Sequence, residues 1–487
     1  MTRTVFFMFI LICLSCKQNK PRKEQALFDT YCASCHVAPR IDELPKDIWK
    51  NAVLPDMAAK MDIEELYHDP QDVVPGFRPK IKLRDWVALQ NYIIELAPEK
   101  LAENAVTKQE TLQLFESRPL AIDKANGALL TYLHFRDSDT TLLYGAIDGK
   151  LEALNLMTKA KKLIYKGSSA LTWYNQYKQH EVFTEVGILD PSEQQRGKLS
   201  IRQDSSAFAI EEAMHRPVHT LYEDLNGNGN PEFVVSEFGN DTGQLVLIEQ
   251  IDSLQYEKTV LLNQPGCVRT IAKDMNHDSN LDLVLMTTQG NEGITILYQT
   301  GDLKFSAARP IEFSPVYGSS WFEVVDYNKD GHYDIVTVNG DNADKSYVHK
   351  PYHGMRIYLN KGDNSFYEAY FYPLNGATRV IANDFDQDGD MDFGLISTFP
   401  DYEKAASKSF VYLENLEAPD FEFGTKILPD PNMGRWFLMD TADFDADGDE
   451  DIVLGSFTYV FTPVPENLSK RWAKENVDIL ILENKLF

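Results

Sequence analysis

Cysteine is scarce in this chain, with 5 in 487 residues. Cys13 and Cys16 close an N-terminal apolar run, Cys32 and Cys35 share one short motif, and Cys267 stands alone. No pair is left for a structural disulfide, so packing and bound ions must carry stability. Positive charge is also short. Lys and Arg number 47 against 74 Asp and Glu, a net charge of −27. That balance excludes a nucleic-acid partner. Long apolar runs are missing as well. Val5 to Leu14, behind Arg3, has the length of a secretion-signal core and is too short to span a bilayer. There is no nucleophile elbow, phosphate loop or HExxH. No residue spacing compels a catalytic site.

What is present begins with Cys32-Ala-Ser-Cys35-His36. Two thiols three residues apart can reach both vinyl groups of one porphyrin, and the next residue offers an imidazole to the iron. A redox dithiol or half of a zinc site would need no adjacent His, and zinc would need a second Cys pair. The motif therefore points to covalent haem c. Ala26, Leu27, Phe28 and Tyr31 form an apolar face ahead of it, similar to the first helix of class I cytochromes c. Trp86, Leu89, Ile93 and Leu96 recur at helical spacing and predict a second helix, about 83–96, crossing the first. Met57 and Met61 are the thioether candidates for the sixth iron ligand. Met57 is favoured because Pro55-Asp-Met57 resembles the ligand loop of that family; core packing is the competing role for either, and His68 is a third candidate.

Leu14-Ser15-Cys16 resembles the lipobox of bacterial lipoproteins. The resemblance implies cleavage before Cys16 and lipidation of its thiol; plain signal-peptidase cleavage is the alternative. Lys17 is not the Asp that marks inner-membrane retention in that family, which favours an outer-membrane anchor, periplasmic or surface side. The expected organisation is a signal peptide (1–15), a tether (16–23), a small all-α cytochrome domain (24–98), a helical linker (99–126) and an all-β domain (127–487).

Five acidic loops dominate that last part. They begin at Asp224, Asp274, Asp326, Asp384 and Asp443, at steps of 50, 52, 58 and 59 residues. Oxygen donors fall at positions 1, 3, 5 and 9. They are Asp224, Asn226, Asn228 and Glu232; Asp274, Asn276, Asp278 and Asp282; Asp326, Asn328, Asp330 and Asp334; Asp384, Asp386, Asp388 and Asp392; and Asp443, Asp445, Asp447 and Asp451. Calcium takes six to eight oxygens on a tight turn, with Gly at position 6 allowing the bend. Copies four and five, with four Asp each, should bind best. Copy one should be weaker, and Ser279 replaces the expected Gly in copy two. Solvated acidic turns without metal are the alternative.

Each loop lies between short apolar stretches, and a third follows, as strands of an even repeat. The pattern resembles the FG-GAP/VCBS repeats of the integrin α-subunit propeller. Two degenerate units, Leu142 to Leu154 and Glu181 to Arg202, would precede the five and close a seven-bladed β-propeller; eight is the other option. In that family the acidic loops share one face. Insertions at 339–354, 397–409 and 457–477 would then emerge on the other, with Arg216, Arg269, Arg379, Arg435, Trp321, Trp436, His349 and His353 as ligand-face candidates for an anionic sugar, a peptide or a partner protein. Arg269, Arg379 and Trp321 lie five residues before their loop Asp, whereas Arg216 and Arg435 lie eight before. The alternative role is pairing with neighbouring acids and wedging between blades.

The function these features imply is an electron-transfer lipoprotein whose propeller docks a redox partner or binds a ligand. An oxidoreductase that oxidises a sugar or alcohol in the propeller and passes electrons to the haem is the second reading. A polysaccharide lyase is a third, and leaves the haem without a role.

Overall fold

A computed structural model of the protein describes residues 22–34, 36–63, 80–104, 108–122, 128–136, 140–203, 206–252, 255–341, 347–459 and 462–487. The expected signal segment, Cys16, most of the tether, Cys35 and His68 lie outside the described residues.

Seven sheets make up most of the molecule. The inner strands are Leu130–Arg136, Leu171–Tyr177, Pro217–Glu223, Cys267–Lys273, Ser319–Val325, Ala377–Asn383 and Trp436–Ala442. Each packs against the inner strand of the next blade, and the seventh returns to the first. The chain is a seven-bladed β-propeller.

Second strands are buried end to end, as in Glu232–Glu237, Asp282–Thr287 and Asp334–Asn339. Burial on both faces explains their continuous apolar runs, such as Leu283-Val-Leu285. Outer strands read otherwise: Lys161–Lys166 is largely exposed and carries three Lys. The two units without acidic loops are full four-stranded blades.

Residues 99–126 contain no helix among the described residues, contrary to the expected helical linker. They supply strands instead. Phe115–Leu120 pairs antiparallel with Ile479–Asn484 and forms the outer strand of blade seven. Glu110–Thr111 adds a short parallel edge to blade six. The N-terminal part of the propeller thus closes its C-terminal blade, so the ring is sealed by hydrogen bonds between distant segments.

Ahead of the propeller lie short helices: α1 (Lys23–Tyr31), α2 (Lys46–Ile48), α3 (Leu54–Lys60) and α4 (Leu83–Leu96). Helices α1 and α4 pack together, with Tyr92 and Gln25 hydrogen-bonded and Lys23 Nζ 3.2 Å from Asp85. Phe28, Trp49, Leu54, Trp86, Leu89 and Ile93 share a core, and Val316 of the propeller packs against it. The helices pack around a core of their own and meet the propeller at a few points. Glu43 is the main tie: its Oε2 accepts from Ser314 Oγ at 2.7 Å, and its carbonyl accepts from Tyr352 Oη at 2.8 Å. Lys60 reaches Asp241 at 2.6 Å. Every propeller residue in these contacts lies on a connection between strands two and three or between successive blades. The helical unit therefore sits on the face opposite the acidic loops. No helix among the described residues is long and apolar enough to cross a membrane. A further helix, α5 (Glu466–Glu475), fills part of the insertion in blade seven and buries Trp472.

Candidate functional site

Three groups of residues carry chemistry. The first is the ring of acidic loops. All five take the same path. In copies one, two, three and five the carboxylate at position 1 caps the turn through both oxygens. Asp224 Oδ1 accepts from Asn228 N at 3.0 Å and Oδ2 from Gly229 N at 2.8 Å. Asp443 does the same for Asp447 and Gly448 at 3.1 Å each. In copy four only Asp384 Oδ2 does so, accepting from Gly389 N at 3.0 Å. Position 6 has positive φ in every copy, including Ser279 at 72°, so the turn survives without Gly there. Position 4 is left-handed too, at Gly227, His277, Lys329, Gln387 and Ala446, a feature with no signal in the sequence.

Positions 1, 3 and 5 converge in copies four and five. The carboxylates of Asp384, Asp386 and Asp388 come within 4.8 Å of one another, as do those of Asp443, Asp445 and Asp447. Asp384 Oδ1 is buried with no hydrogen-bond partner. Burial, and then the neighbouring carboxylates, push the pKa of Asp386 and Asp445 upward. Three crowded carboxylates with an orphaned buried oxygen fit a hard cation such as calcium. Copies two and three are different. Asn276 and Asn328 turn an amide N–H onto the position 5 carboxylate, at 3.1 and 3.0 Å. In copy one, Asn226 donates to Asp302 of blade four at 3.0 Å.

Position 9 behaves unlike the others. Asp282, Asp334, Asp392 and Asp451 are fully buried at the start of their second strands, and Glu232 nearly so. Both oxygens of Asp451 accept backbone N–H groups, Phe444 N at 2.8 Å and Asn484 N at 2.7 Å. Asp392 repeats this with Phe385 and Asn415 at 3.2 and 2.8 Å, and adds Tyr412 Oη at 2.6 Å. These carboxyls staple the loop to the third strand. Burial outweighs the hydrogen bonds and pushes Asp392 and Asp451 up to about 7.

The second group lies in the helical unit. Helix α1 ends at Tyr31, which leaves Cys32 as its cap and at the edge of the helical core. Burial pushes the Cys32 thiol up to about 12, with Asp29 adding to the effect. His36 Nδ1 is 2.8 Å from Val37 O. A carbonyl only accepts, so Nδ1 holds the proton and Nε2 keeps its lone pair for a metal. Trp86 Nε1 is buried with no partner, whereas Trp49 Nε1 donates to Ile41 O at 2.9 Å. Met57 and Met61 stand one turn apart on and after α3; Met61 is buried in the core and Met57 lies at its margin. An imidazole that keeps its Nε2 lone pair, a thiol at the end of α1, a marginal thioether and an orphaned indole N–H are the kinds of group that a haem attached at Cys32 would use.

The third group lines the channel. Every inner strand carries a register shift after its first residue, which re-aims the third. The third residues are Tyr132, Trp173, His219, Arg269, Trp321, Arg379 and Leu438. Neighbours around this belt touch: Tyr132 and Trp173 at 5.7 Å between centroids, Trp173 and His219 at 4.2 Å. Arg269 and Arg379 stack on Trp321 at 4.2 and 4.1 Å.

The remaining ligand-face candidates disperse. Arg216 is buried and donates to the carbonyls of Ile188, Leu189 and Gly239, and Arg435 to those of Thr398 and Tyr459 and to Thr462. Both pin loops between blades. Trp436 is fully buried, its Nε1 bonded to Pro431 O at 2.9 Å. His353 is fully buried, and burial together with Lys350 holds its pKa far below the usual imidazole range. His349 faces a cleft of about 530 Å³ beside Glu99, Lys404 and Asp401, with Nε2 3.8 Å from Asp401 Oδ1. The face expected to carry the ligand candidates is partly covered by the helical unit, whose docking residues follow no sequence pattern.

A family model described as an FG-GAP-like repeat matches residues 274–337, the stretch from the second acidic loop through the third. No curated protein matches the chain. Among solved structures it is similar to the Neurospora crassa Pan2 WD40 domain, at 10% identity and a TM-score of 0.45, covering 77% of this chain and 98% of that one. The N-terminal domain of Nup159 aligns at 11% identity and a TM-score of 0.41, over 77% and 97%. The Myceliophteria thermophila Cps50 (Swd1) β-propeller domain aligns at 10% identity and 0.43, over 68% and 95%.

Proposed function

We propose that this protein is a haem c electron-transfer lipoprotein, exported and anchored in the outer membrane through Cys16. Its calcium-braced propeller docks a partner protein or binds a ligand. The observation that carries this reading is Cys32-Ala-Ser-Cys35-His36 at the end of α1, with the His36 Nδ1 proton engaged by Val37 O. Cys32 and Cys35 would hold the porphyrin, His36 would ligate the iron through Nε2, and Met57 or Met61 would complete the coordination. The haem supplies one-electron transfer at a potential that Met ligation raises. The chain's own part is to fix the imidazole tautomer, bury the thioether side and exclude water with Trp49, Trp86 and Phe28. At the opposite end, Asp384, Asp386, Asp388, Asp443, Asp445 and Asp447 would hold calcium and keep the blade hairpins rigid.

One observation favours the oxidoreductase as a second reading: the helical unit packs on the end of the channel where Arg269, Trp321 and Arg379 lie. One experiment separates the two. The mature protein is made with haem attachment and calcium, and its oxidised haem spectrum is followed as sugars, uronic acids and alcohols are added, with and without a quinone cofactor. No reduction by any substrate is the expected result. Reduction by one would make the propeller catalytic.

A further inference from the structure

Among the described residues, the two guanidiniums of the channel belt have one carboxylate in direct contact between them. Arg269 and Arg379 come from blades four and six, and each lays its guanidinium over the Trp321 ring of the blade between them. One carboxylate is in direct contact. Glu323 Oε1 stands 2.7 Å from Arg269 Nη1 and 3.0 Å from Trp321 Nε1. It serves Arg269 and the indole. Arg379 forms no ion pair among the described residues, and its one hydrogen bond runs from Nη1 to the carbonyl of the preceding Thr378, at 3.1 Å. Stacking occupies the face of a guanidinium and leaves its in-plane N–H fork free. His219, next in the belt, adds no balancing charge; burial, and then Arg269, hold it neutral. Burial and Arg269 also push Arg379 down to about 9, with Asp341 and Glu323 offsetting this only in part. An unpaired guanidinium removed from water is costly. It is more telling in a chain of net charge −27. Solvent reaches the neighbouring part of the belt, where the side chains of Arg269 and Glu323 are 17% and 21% exposed, and Arg379 itself is half-buried.

From this geometry we infer that the channel binds a small monocarboxylate, gripped by the free fork of Arg379 beside Arg269 and the edge of Trp321. A carboxylate fits because the belt already holds one, Glu323, on the same donor types. A single carboxylate fits because one fork, that of Arg379, is left open once Glu323 has engaged Arg269. The inference rests on reading the propeller as a ligand-binding body and is independent of the haem.

The test is calorimetric titration of the full mature chain with acetate, lactate and glucuronate, with glucose as a neutral control and inorganic phosphate as a dianion. At least one monocarboxylate should bind at one site, with a change in tryptophan fluorescence that W321F removes, and glucose should give no heat. R379Q should weaken binding at least tenfold. R379K keeps the charge but loses the fork, and should weaken it at least threefold, which reads the site even if R379Q does not fold. Absence of binding by all three carboxylates, or equal affinity in wild type and the Arg379 variants, would overturn the site. Tighter binding of phosphate would overturn the carboxylate assignment. Haem content in the same preparation reports on the electron-transfer proposal separately, so either can fail alone.

Discussion

At the scale of single residues, the acidic loop divides its labour. In copies four and five positions 1, 3 and 5 face one another, whereas position 9 turns inward and accepts backbone N–H groups from the loop and the third strand. The sequence spacing marked all four as one donor set and could not tell the staple from the cluster, because both jobs select carboxylates. The difference has a consequence for pH. Glu232, Asp392 and Asp451 are held at about 7 and Asp334 at about 6, mainly by burial. A carboxyl raised in the fold favours folding while protonated, and that contribution disappears as pH rises through its folded pKa. Cation-free protein should therefore melt at a lower temperature at pH 8 than at pH 5, and added calcium should narrow the gap. Thermal melts at the two pH values, with and without chelator, check this. Asp451→Asn keeps the shape but turns an N–H toward a backbone N–H. It should cost about 1–3 kcal/mol, read by denaturant unfolding.

Among elements, inner and second strands were legible and closure was not. Alternation and apolar runs beside each acidic loop mark strands of blades three to seven, because burial on both faces demands those residues. Phe115–Leu120 reads Phe-Glu-Ser-Arg-Pro-Leu and carries no strand signal of its own. Its pairing with Ile479–Asn484, more than 350 residues away, decides its conformation. The helical reading of 99–126 failed for the same reason. Deleting residues 1–121 should leave blade seven with an open apolar edge at Ile479–Asn484. Light scattering and limited proteolysis should then report aggregation and cleavage in blade seven, whereas a cut before Glu110 should leave the propeller melt unchanged.

For the whole molecule, the two ends of the propeller differ in kind. One end is a rim of acidic turns cross-linked between blades, as where Gln387 Nε2 donates to Gly448 O at 2.8 Å. The other carries the helical unit. Five repeats were readable from loop spacing; the count of seven rested on two further units without that loop, with eight as the other option. The docking of the helices was not readable, since Glu43, Val316 and Tyr352 belong to no periodic pattern. Calcium at an affinity of about 0.1 to 1 mM, supplied at ten- to a hundredfold excess, should add about 1.4 to 2.7 kcal/mol per filled loop. Asp384→Asn with Asp443→Asn should remove most of that gain, as chelation does, in calorimetric melts of wild type and variant. Haem binding remains the central claim. The most direct measurement is the haem that stays with the polypeptide after denaturation and acid–solvent extraction, from protein produced alongside a haem-attachment system. One haem per chain, lost in C32S and C35S variants, is the predicted result. A folded, calcium-responsive protein that carries none under those conditions would contradict the assignment of Cys32, Cys35 and His36.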